Sequence, residues 1–203
     1  MLKFKTFTGG PYETNCCLVE APGGNILFDA PEGADQQFAG DKIDLLVLTH
    51  GHWDHTADAA GVQRRHGCRV LCHVDAVPMV SEKDFFERHG FPLQVEPLVP
   101  DGLLAEGRGQ NLLGLPTDVL DVPGHCPGSL CFYLPDQSIL IGGDVLFRGG
   151  IGRWDLPGGN GEMLLSGIRE KILPLPAETT VLPGHGPATT VAEEKASNPF
   201  LRV

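Results

Sequence analysis

No apolar run in this 203-residue chain approaches the roughly 18 residues a membrane-spanning helix needs. A bilayer is therefore not an expected environment. Positive charge is also scarce. Fifteen Lys and Arg stand against 26 Asp and Glu, a net charge of −11, and Arg64-Arg65 is the one basic cluster. A surface that tracks phosphates needs clustered cations, so nucleic acid is not an expected partner. There is no internal repeat and no linker-like stretch. The chain closes on Phe200-Leu201-Arg202-Val203 without a lipidation signal. It opens on Met-Leu-Lys-Phe-Lys-Thr-Phe-Thr, which alternates like a strand and lacks the apolar core of a signal peptide. These absences predict a single domain over 1–203 and a cytoplasmic location.

What is present fits a globular chain: 41% hydrophobic and 20% charged residues, with length to bury about 70% of its unfolded surface. Glycine (27) and proline (17) are dispersed between apolar runs, the punctuation of a loop-rich fold with many short strands. The cysteines are Cys16, Cys17, Cys68, Cys72, Cys126 and Cys131. Without a secretory signal they are expected as reduced thiols. Cys68 and Cys72 flank an apolar run at even spacing and read as two small buried hydrophobes on one strand face, not as metal ligands.

The early part predicts strands over 2–8, 15–20 and 25–29, close enough in sequence for antiparallel pairing. Further strands are expected at 43–48, 69–72, 117–122, 129–134, 137–141 and 179–182. Helices are expected at 56–66, 78–88, 161–172 and 190–196. Four apolar runs each end in a metal-binding residue type: Leu46-Val47-Leu48-Thr49-His50, Leu120-Asp121-Val122-Pro123-Gly124-His125, Ile139-Leu140-Ile141-Gly142-Gly143-Asp144 and Val181-Leu182-Pro183-Gly184-His185. Buried strands that deliver side chains into the loops beyond their ends are how sheets build sites. The four would converge if their strands share a sheet edge.

The densest motif is His50-Gly51-His52-Trp53-Asp54-His55. Four potential ligands in six residues cannot all reach one ion without strain. Alternation puts His50 and His52 on one side and turns Asp54 and His55 toward another, which suits two adjacent metal sites. Gly51 allows the tight backbone this requires. Imidazole and carboxylate suit Zn, Fe or Mn. Cys126 follows His125 directly, and adjacent side chains in extended chain point apart, so no Cys ligand is expected. His66, His73 and His89 lack neighbouring ligands and read as surface or satisfied core residues.

Thr49-His50-Gly51-His52-Trp53-Asp54-His55, with the later His125, Asp144 and His185, resembles the metallo-β-lactamase fold superfamily. Within it the chain is similar to short bacterial glyoxalase II-like hydrolases. The supporting stretches are Thr14-Asn15-Cys16, Pro123-Gly124-His125-Cys126-Pro127-Gly128-Ser129, Gly142-Gly143-Asp144-Val145-Leu146-Phe147, Gly152-Arg153-Trp154-Asp155, Pro183-Gly184-His185-Gly186-Pro187 and the tail Glu193-Glu194-Lys195…Asn198-Pro199-Phe200-Leu201. The resemblance implies an α/β fold, a four-layer αβ/βα sandwich, with two divalent metal ions, zinc foremost, at its loops. It implies that His50, His52 and His125 hold the first metal and that Asp54, His55 and His185 hold the second. Asp144 would bridge both. β-Lactamases of the superfamily often carry Cys where Asp144 stands and are usually secreted; this chain matches neither trait. Flavodiiron-type relatives carry Glu in place of His52, which disfavours oxygen reduction of that kind.

Two adjacent cations lower the pKa of a bridging water toward neutrality, and Asp54 is the candidate catalytic residue that orients the resulting hydroxide. A thiolate leaves without an obligatory general acid. The motif loops offer no separate acid, which favours a small-molecule thioester substrate. The resemblance implies an S-2-hydroxyacylglutathione, with Arg153 and Trp154 as candidate substrate-binding residues. Longer glyoxalase II enzymes add a C-terminal helical region with basic residues for glutathione, for which this chain is too short. Many short relatives read Gly-Arg-Thr-Asp-Phe-Pro-Arg-Gly where this chain has Gly152-Arg153-Trp154-Asp155-Leu156-Pro157-Gly158-Gly159. Thr56-Ala57-Asp58 also stands where small Ala/Gly pairs are common. The alternatives are a mononuclear iron persulfide dioxygenase, another hydrolase of the fold acting on lactones or phosphoesters, and a non-catalytic metal-binding module.

Overall fold

The structure, a computed structural model, describes residues 2–202. Two six-stranded sheets lie face to face. In the first, β1 (Phe4–Gly9), β2 (Thr14–Ala21) and β3 (Gly24–Phe28) pair antiparallel. Then β4 (Leu45–Val47), β5 (Arg69–His73) and β6 (Gly102–Leu104) join in parallel. The second contains β7 (Gly107–Leu112), β8 (Leu115–Asp121), β9 (Leu130–Leu134) and β10 (Ile139–Gly143), all antiparallel. After a small hairpin of β11 (Leu146–Phe147) and β12 (Gly150–Ile151), β13 (Thr180–Pro183) pairs parallel to β10, and β14 (Thr189–Thr190) closes the edge. The helices are α1 (Ala34–Gln37), α2 (Trp53–Thr56), α3 (Ala59–His66), α4 (Val77–Ser81), α5 (Phe85–Arg88), α6 (Gly161–Gly167) and α7 (Val191–Ser197).

Strand alternation decides the layers. Leu45 and Val47 of β4 face the second sheet and share a core with Phe28, Val119 and Phe132. Leu46 and Leu48 face the other way and pack with Phe38 and Val62 beneath α1 and α3. In β9, Leu130, Phe132 and Leu134 look inward, while Cys131 and Tyr133 meet Leu164, Ile168 and Val191 around α6 and α7. The result is helix, sheet, sheet, helix, with three apolar cores between the layers. The inner core is centred on Phe28 and Phe132, ring centroids 5.2 Å apart. Each such fully buried side chain contributes about 1.5–3 kcal/mol. Cys68 and Cys72 sit in the core under α3, as their spacing predicts, and all six cysteines are buried and unpaired.

Several local expectations need correction. The helix expected at 56–66 starts earlier, as the single turn α2, and loosens at Asp58 before α3. Asp58 Oδ2 accepts from the Gly33 and Asp35 amides and so fastens the start of α1. The helix expected at 78–88 is two short pieces. Glu82 is extended between them, and the Lys83 carbonyl accepts from the Val95 amide instead of a helical partner. The stretch 161–172 is helical throughout but passes into a π-helix at Ile168–Ile172. The edge strands β6, β7 and β14 and the helix α1 carry too little apolar periodicity to be read from sequence. No helix among the described residues is long and apolar enough to cross a membrane.

The four ligand-bearing runs do not share one sheet edge. β4 belongs to the first sheet, whereas β8, β10 and β13 belong to the second. They converge because the sheets face each other, and the Leu130 amide donates to the Thr49 carbonyl across the gap (2.8 Å).

Candidate metal centre

The site is built on a residue that the sequence reading passed over. Asp29 directly follows β3, is 2% exposed and takes a left-handed conformation (φ 61°). Its carboxylate accepts from the Thr49 amide (2.7 Å) and the Thr49 hydroxyl (2.8 Å), and it pairs with His55 Nδ1 (2.7 Å). A buried carboxylate is costly unless satisfied; three donors meet this one and lock the start of the motif loop. The available signal was Ile26-Leu27-Phe28-Asp29, another apolar run ending in a ligand-type residue.

Gly51 matters for space, not for an unusual backbone angle. A Cβ there would lie 2.6 Å from Met79 Cβ, and its φ is not positive. His52 then leads into α2, whose turn sets Asp54 and His55 side by side. The seven expected ligands come together in overlapping groups. His50, His52 and His125 form one, and Asp54, His55 and His185 another. The expected division of the motif is not complete, because the His50 and His55 rings are also adjacent, centroids 4.2 Å apart. Asp144 spans both groups. Its Oδ1 is 3.1 Å from His55 Nε2, and its Oδ2 is 3.3 Å from His185 Nε2 and 3.5 Å from His125 Nε2.

Four of the five imidazoles are aimed by a bond on the far side, which also selects the nitrogen turned inward; the fifth, His52, meets His125 Nε2 through its Nδ1 (2.8 Å). His125 Nδ1 donates to the Arg153 carbonyl (2.8 Å), and His185 Nδ1 donates to the Tyr12 carbonyl (2.9 Å). His50 Nδ1 meets the Thr49 hydroxyl (3.0 Å). Thr14, 1% exposed, donates its hydroxyl to Asp54 Oδ2 (2.9 Å). Of these aiming groups, Thr14 and Thr49 stood in recognised motifs, but their bonds could not be read from them.

The residues fit a metal centre on their own chemistry. His50 Nε2 is buried without a hydrogen-bond partner, and His55 Nε2 and Asp144 Oδ1, 3.1 Å apart, are buried with no neighbour of that kind but each other. Orphaned polar atoms at this depth are rare, and imidazole and carboxylate donors clustered in this way suit a divalent cation. Charge is divided unevenly. Burial, with the neighbouring His55 and His52, holds His50 well below the usual imidazole range. Burial and the adjacent His125 bring His52 down to about 3. Burial lowers His125 as well. In the other group burial is overcome by carboxylates. Asp144 and Asp29 raise His55 well above its ordinary value, and the hydrogen bonds that His185 donates to Asp144 and Asp54 raise it to about 10.

At neutral pH the imidazoles of the first group are therefore uncharged, while His55 and His185 carry protons that a cation must displace. As pH falls, metal at Asp54, His55 and His185 is expected to leave first. Dialysis of the loaded protein from about pH 8 to about pH 5, with metal analysis at each step, should show loss of one ion before the other. Simultaneous loss of both, or a proton-free uptake of the second, would contradict this assignment of charge.

Cys126 departs from expectation. Residues 123–127 turn instead of extending, and the Cys126 sulfur joins the His50, His52 and His125 group, all ligand atoms within 4.8 Å of one another. Burial pushes its thiol up to about 12, and it contacts the Ser129 hydroxyl (3.3 Å). His66, His73 and His89 stay out of every such group among the described residues. His73 instead accepts from the Asp75 amide at the start of a 3₁₀ turn. Arg153 and Trp154 lie on the loop after β12. The Arg153 guanidinium makes a two-pronged pair with Asp155, both contacts 2.8 Å. Trp154 packs on Gly161, where a Cβ would come within 2.9 Å of its ring, and edge-on to Phe200 (6.3 Å).

Two facing sheets with helices outside, and a paired His/Asp centre at the loops of one rim, define a metallo-hydrolase of the αβ/βα sandwich class. The chain belongs to the metallo-beta-lactamase superfamily, whose model matches residues 9–185. It is 36% identical to the probable metallo-hydrolase YqgX of Bacillus subtilis, over 98% of both chains. It is 35% identical to the hydroxyacylglutathione hydrolase GloC of Haemophilus influenzae, over 94% of this chain and 93% of that one. Among solved structures, BLEG-1 B3 metallo-beta-lactamase superposes with TM-score 0.87 at 32% identity, covering 98% and 99% of the two chains. TTHA1623 in a di-iron-bound form does so with TM-score 0.85 at 35% identity, covering 97% and 100%.

Proposed function

We propose that this protein is a binuclear metal-dependent thioesterase that cleaves an S-2-hydroxyacylglutathione to glutathione and a 2-hydroxy acid. The observation that carries the reading is the complete second ligand group, Asp54, His55 and His185, packed against the first through Asp144. The relative GloC, a hydroxyacylglutathione hydrolase, supports the substrate. His50, His52 and His125 would hold one ion, Asp54, His55 and His185 the other, and Asp144 both. When bound, the pair supplies a water acidified toward neutrality and a polarised thioester carbonyl.

The chain's own residues do the positioning. Thr14 holds Asp54 Oδ2, which leaves Oδ1 to accept from the attacking water and fix its direction. Asp29 and the Tyr12 carbonyl prevent His55 and His185 from turning away. The recess beside His52 is lined by Trp53, Phe86, Phe91, Leu156 and Pro157, with His89 as its one other polar side chain, largely apolar walls that exclude bulk water from one flank. No group there is needed to protonate the departing sulfur, because a thiolate is a competent leaving group near neutral pH.

Thiol release from S-lactoylglutathione and oxygen uptake with glutathione persulfide, measured on one preparation, test the reading. Thiol release without oxygen uptake is expected, even after loading with Fe(II). Oxygen uptake with one iron per chain and no thiol release would replace it with the persulfide dioxygenase. Neither activity would leave a hydrolase of lactones or phosphoesters.

A further inference from the structure

The loop 152–157 crosses the rim of the metal centre. At one end the Arg153 carbonyl holds His125 (2.8 Å). At the other, Leu156 and Pro157 line the recess beside His52. Asp155 therefore stands between an anchor bonded to one expected ligand and two residues that line a recess together with another. Tyr12, whose carbonyl holds His185 (2.9 Å), sets its ring edge-on to Trp53 (5.4 Å). No lysine or arginine lines the recess itself. Arg88 is paired with Glu82, and Arg148 with Glu193. Arg153 is thus the cation at this rim best placed to receive a carboxylate, and its fork is already filled.

From this arrangement we propose that Asp155 is a specificity-determining residue: it occupies the Arg153 fork as an internal stand-in for a substrate carboxylate, and an anionic thiol-side carboxylate binds by displacing it. The proposal rests on the thioesterase reading for the identity of that substrate. The geometry is that of carboxylate recognition, with Nε to Oδ1 and Nη2 to Oδ2 each at 2.8 Å. Displacement is easy. The two side chains are 60% and 66% exposed, and exposed ion pairs hold little free energy. A substrate whose carboxylate is already positioned by the rest of its contacts competes well against such a pair. A neutral thioester gains nothing from the exchange. Asp155 therefore filters by charge: it raises the threshold for anions and prevents Arg153 from capturing stray ones on a rim that must also release product.

The test uses the metal-loaded full chain and Asp155→Asn, Arg153→Ala and the double variant. Calorimetry with S-methylglutathione, a thioether that cannot be hydrolysed, reads binding directly. Kinetics with S-lactoylglutathione and with the neutral S-lactoyl-N-acetylcysteamine read the KM-against-kcat split. Asp155→Asn is expected to tighten S-methylglutathione and lower KM for S-lactoylglutathione about threefold, with kcat and the neutral thioester unaffected. Arg153→Ala is expected to raise KM for S-lactoylglutathione more than it lowers kcat. In the Arg153→Ala background Asp155→Asn is expected to have no effect. An equal gain in that background would reduce Asp155 to a general repulsive charge and overturn the proposal, as would an unchanged Kd and KM in the single variant. Tightened S-methylglutathione binding without hydrolysis of either thioester would uphold the role of Asp155 and remove the thioesterase reading.

Discussion

Asp144→Ala is expected to strip both metal sites at once and to lower kcat/KM by more than about 100-fold, beyond the 10–100-fold typical of an outer partner. Asp144 is the side chain that faces both ligand groups, 3.1 Å from His55, 3.3 Å from His185 and 3.5 Å from His125. Removing it deletes two carboxylate oxygens from a buried cluster of imidazoles. Burial alone would raise the Asp144 carboxyl, but the His55 charge and the His185 hydrogen bond hold it well below the usual range. It is thus an anion at neutral pH. Its loss leaves His55 and His185 with fewer charges to balance. The wild-type protein should bind two ions per chain after metal supplementation, and the variant should bind neither tightly by elemental analysis. A variant that retains two ions would show that Asp144 does not bridge.

Gly184→Ala is expected to be nearly as damaging, although it removes nothing. A Cβ at 184 would overlap Asp144 Oδ1, lie 2.6 Å from His55 Cε1 and come within 3.2 Å of the Gly143 carbonyl carbon. The methyl occupies the space in which those two side chains meet. Backbone on both sides is held, because the Gly184 amide donates to the Gly143 carbonyl (2.8 Å) and the Gly184 carbonyl accepts from Asn15 (2.7 Å). The strain must therefore fall on Asp144 and His55. Overpacking of this kind costs about 1–3 kcal/mol, so the variant should fold. The second ion should be lost preferentially, with activity down about 10–100-fold. A variant with full metal content and wild-type rate would mean that the rim is looser than its hydrogen bonds imply. Gly186→Ala, two residues on, meets no atom within 4 Å and provides the control for this loop, though its φ of 73° adds a small backbone cost.

The sequence alone determined which residues could be ligands and that strands deliver them. His50, His52, Asp54 and His55 fall in six residues. His125, Asp144 and His185 each follow an apolar run that does end in a strand, β8, β10 and β13. These signals are local. Apolar periodicity and a polar residue at a strand end are complete within about ten residues, and so they survive without knowledge of the fold. The superfamily could be read from the same stretches. Short and interrupted elements could not, because α1, β6 and β14 owe their shape to neighbours distant in sequence.

Tertiary structure decided how the donors are aimed. Tyr12 and His185 are 173 residues apart, and the bond between them uses a backbone carbonyl, which has no signature in the sequence. The same holds for the Arg153 carbonyl on His125. Asp29 gained its role only because β3 lies beside β4 and brings its carboxylate beneath Thr49 and His55. Cys126 turned inward because its segment bends, and the requirement for glycine at 184 exists only because β10 and β13 run parallel and bring Asp144 against it. Ligand identity is a property of side chains and can be read residue by residue. Ligand direction depends on which backbone atoms the stacking of two sheets places behind each ring, and that is settled only when the sheets meet.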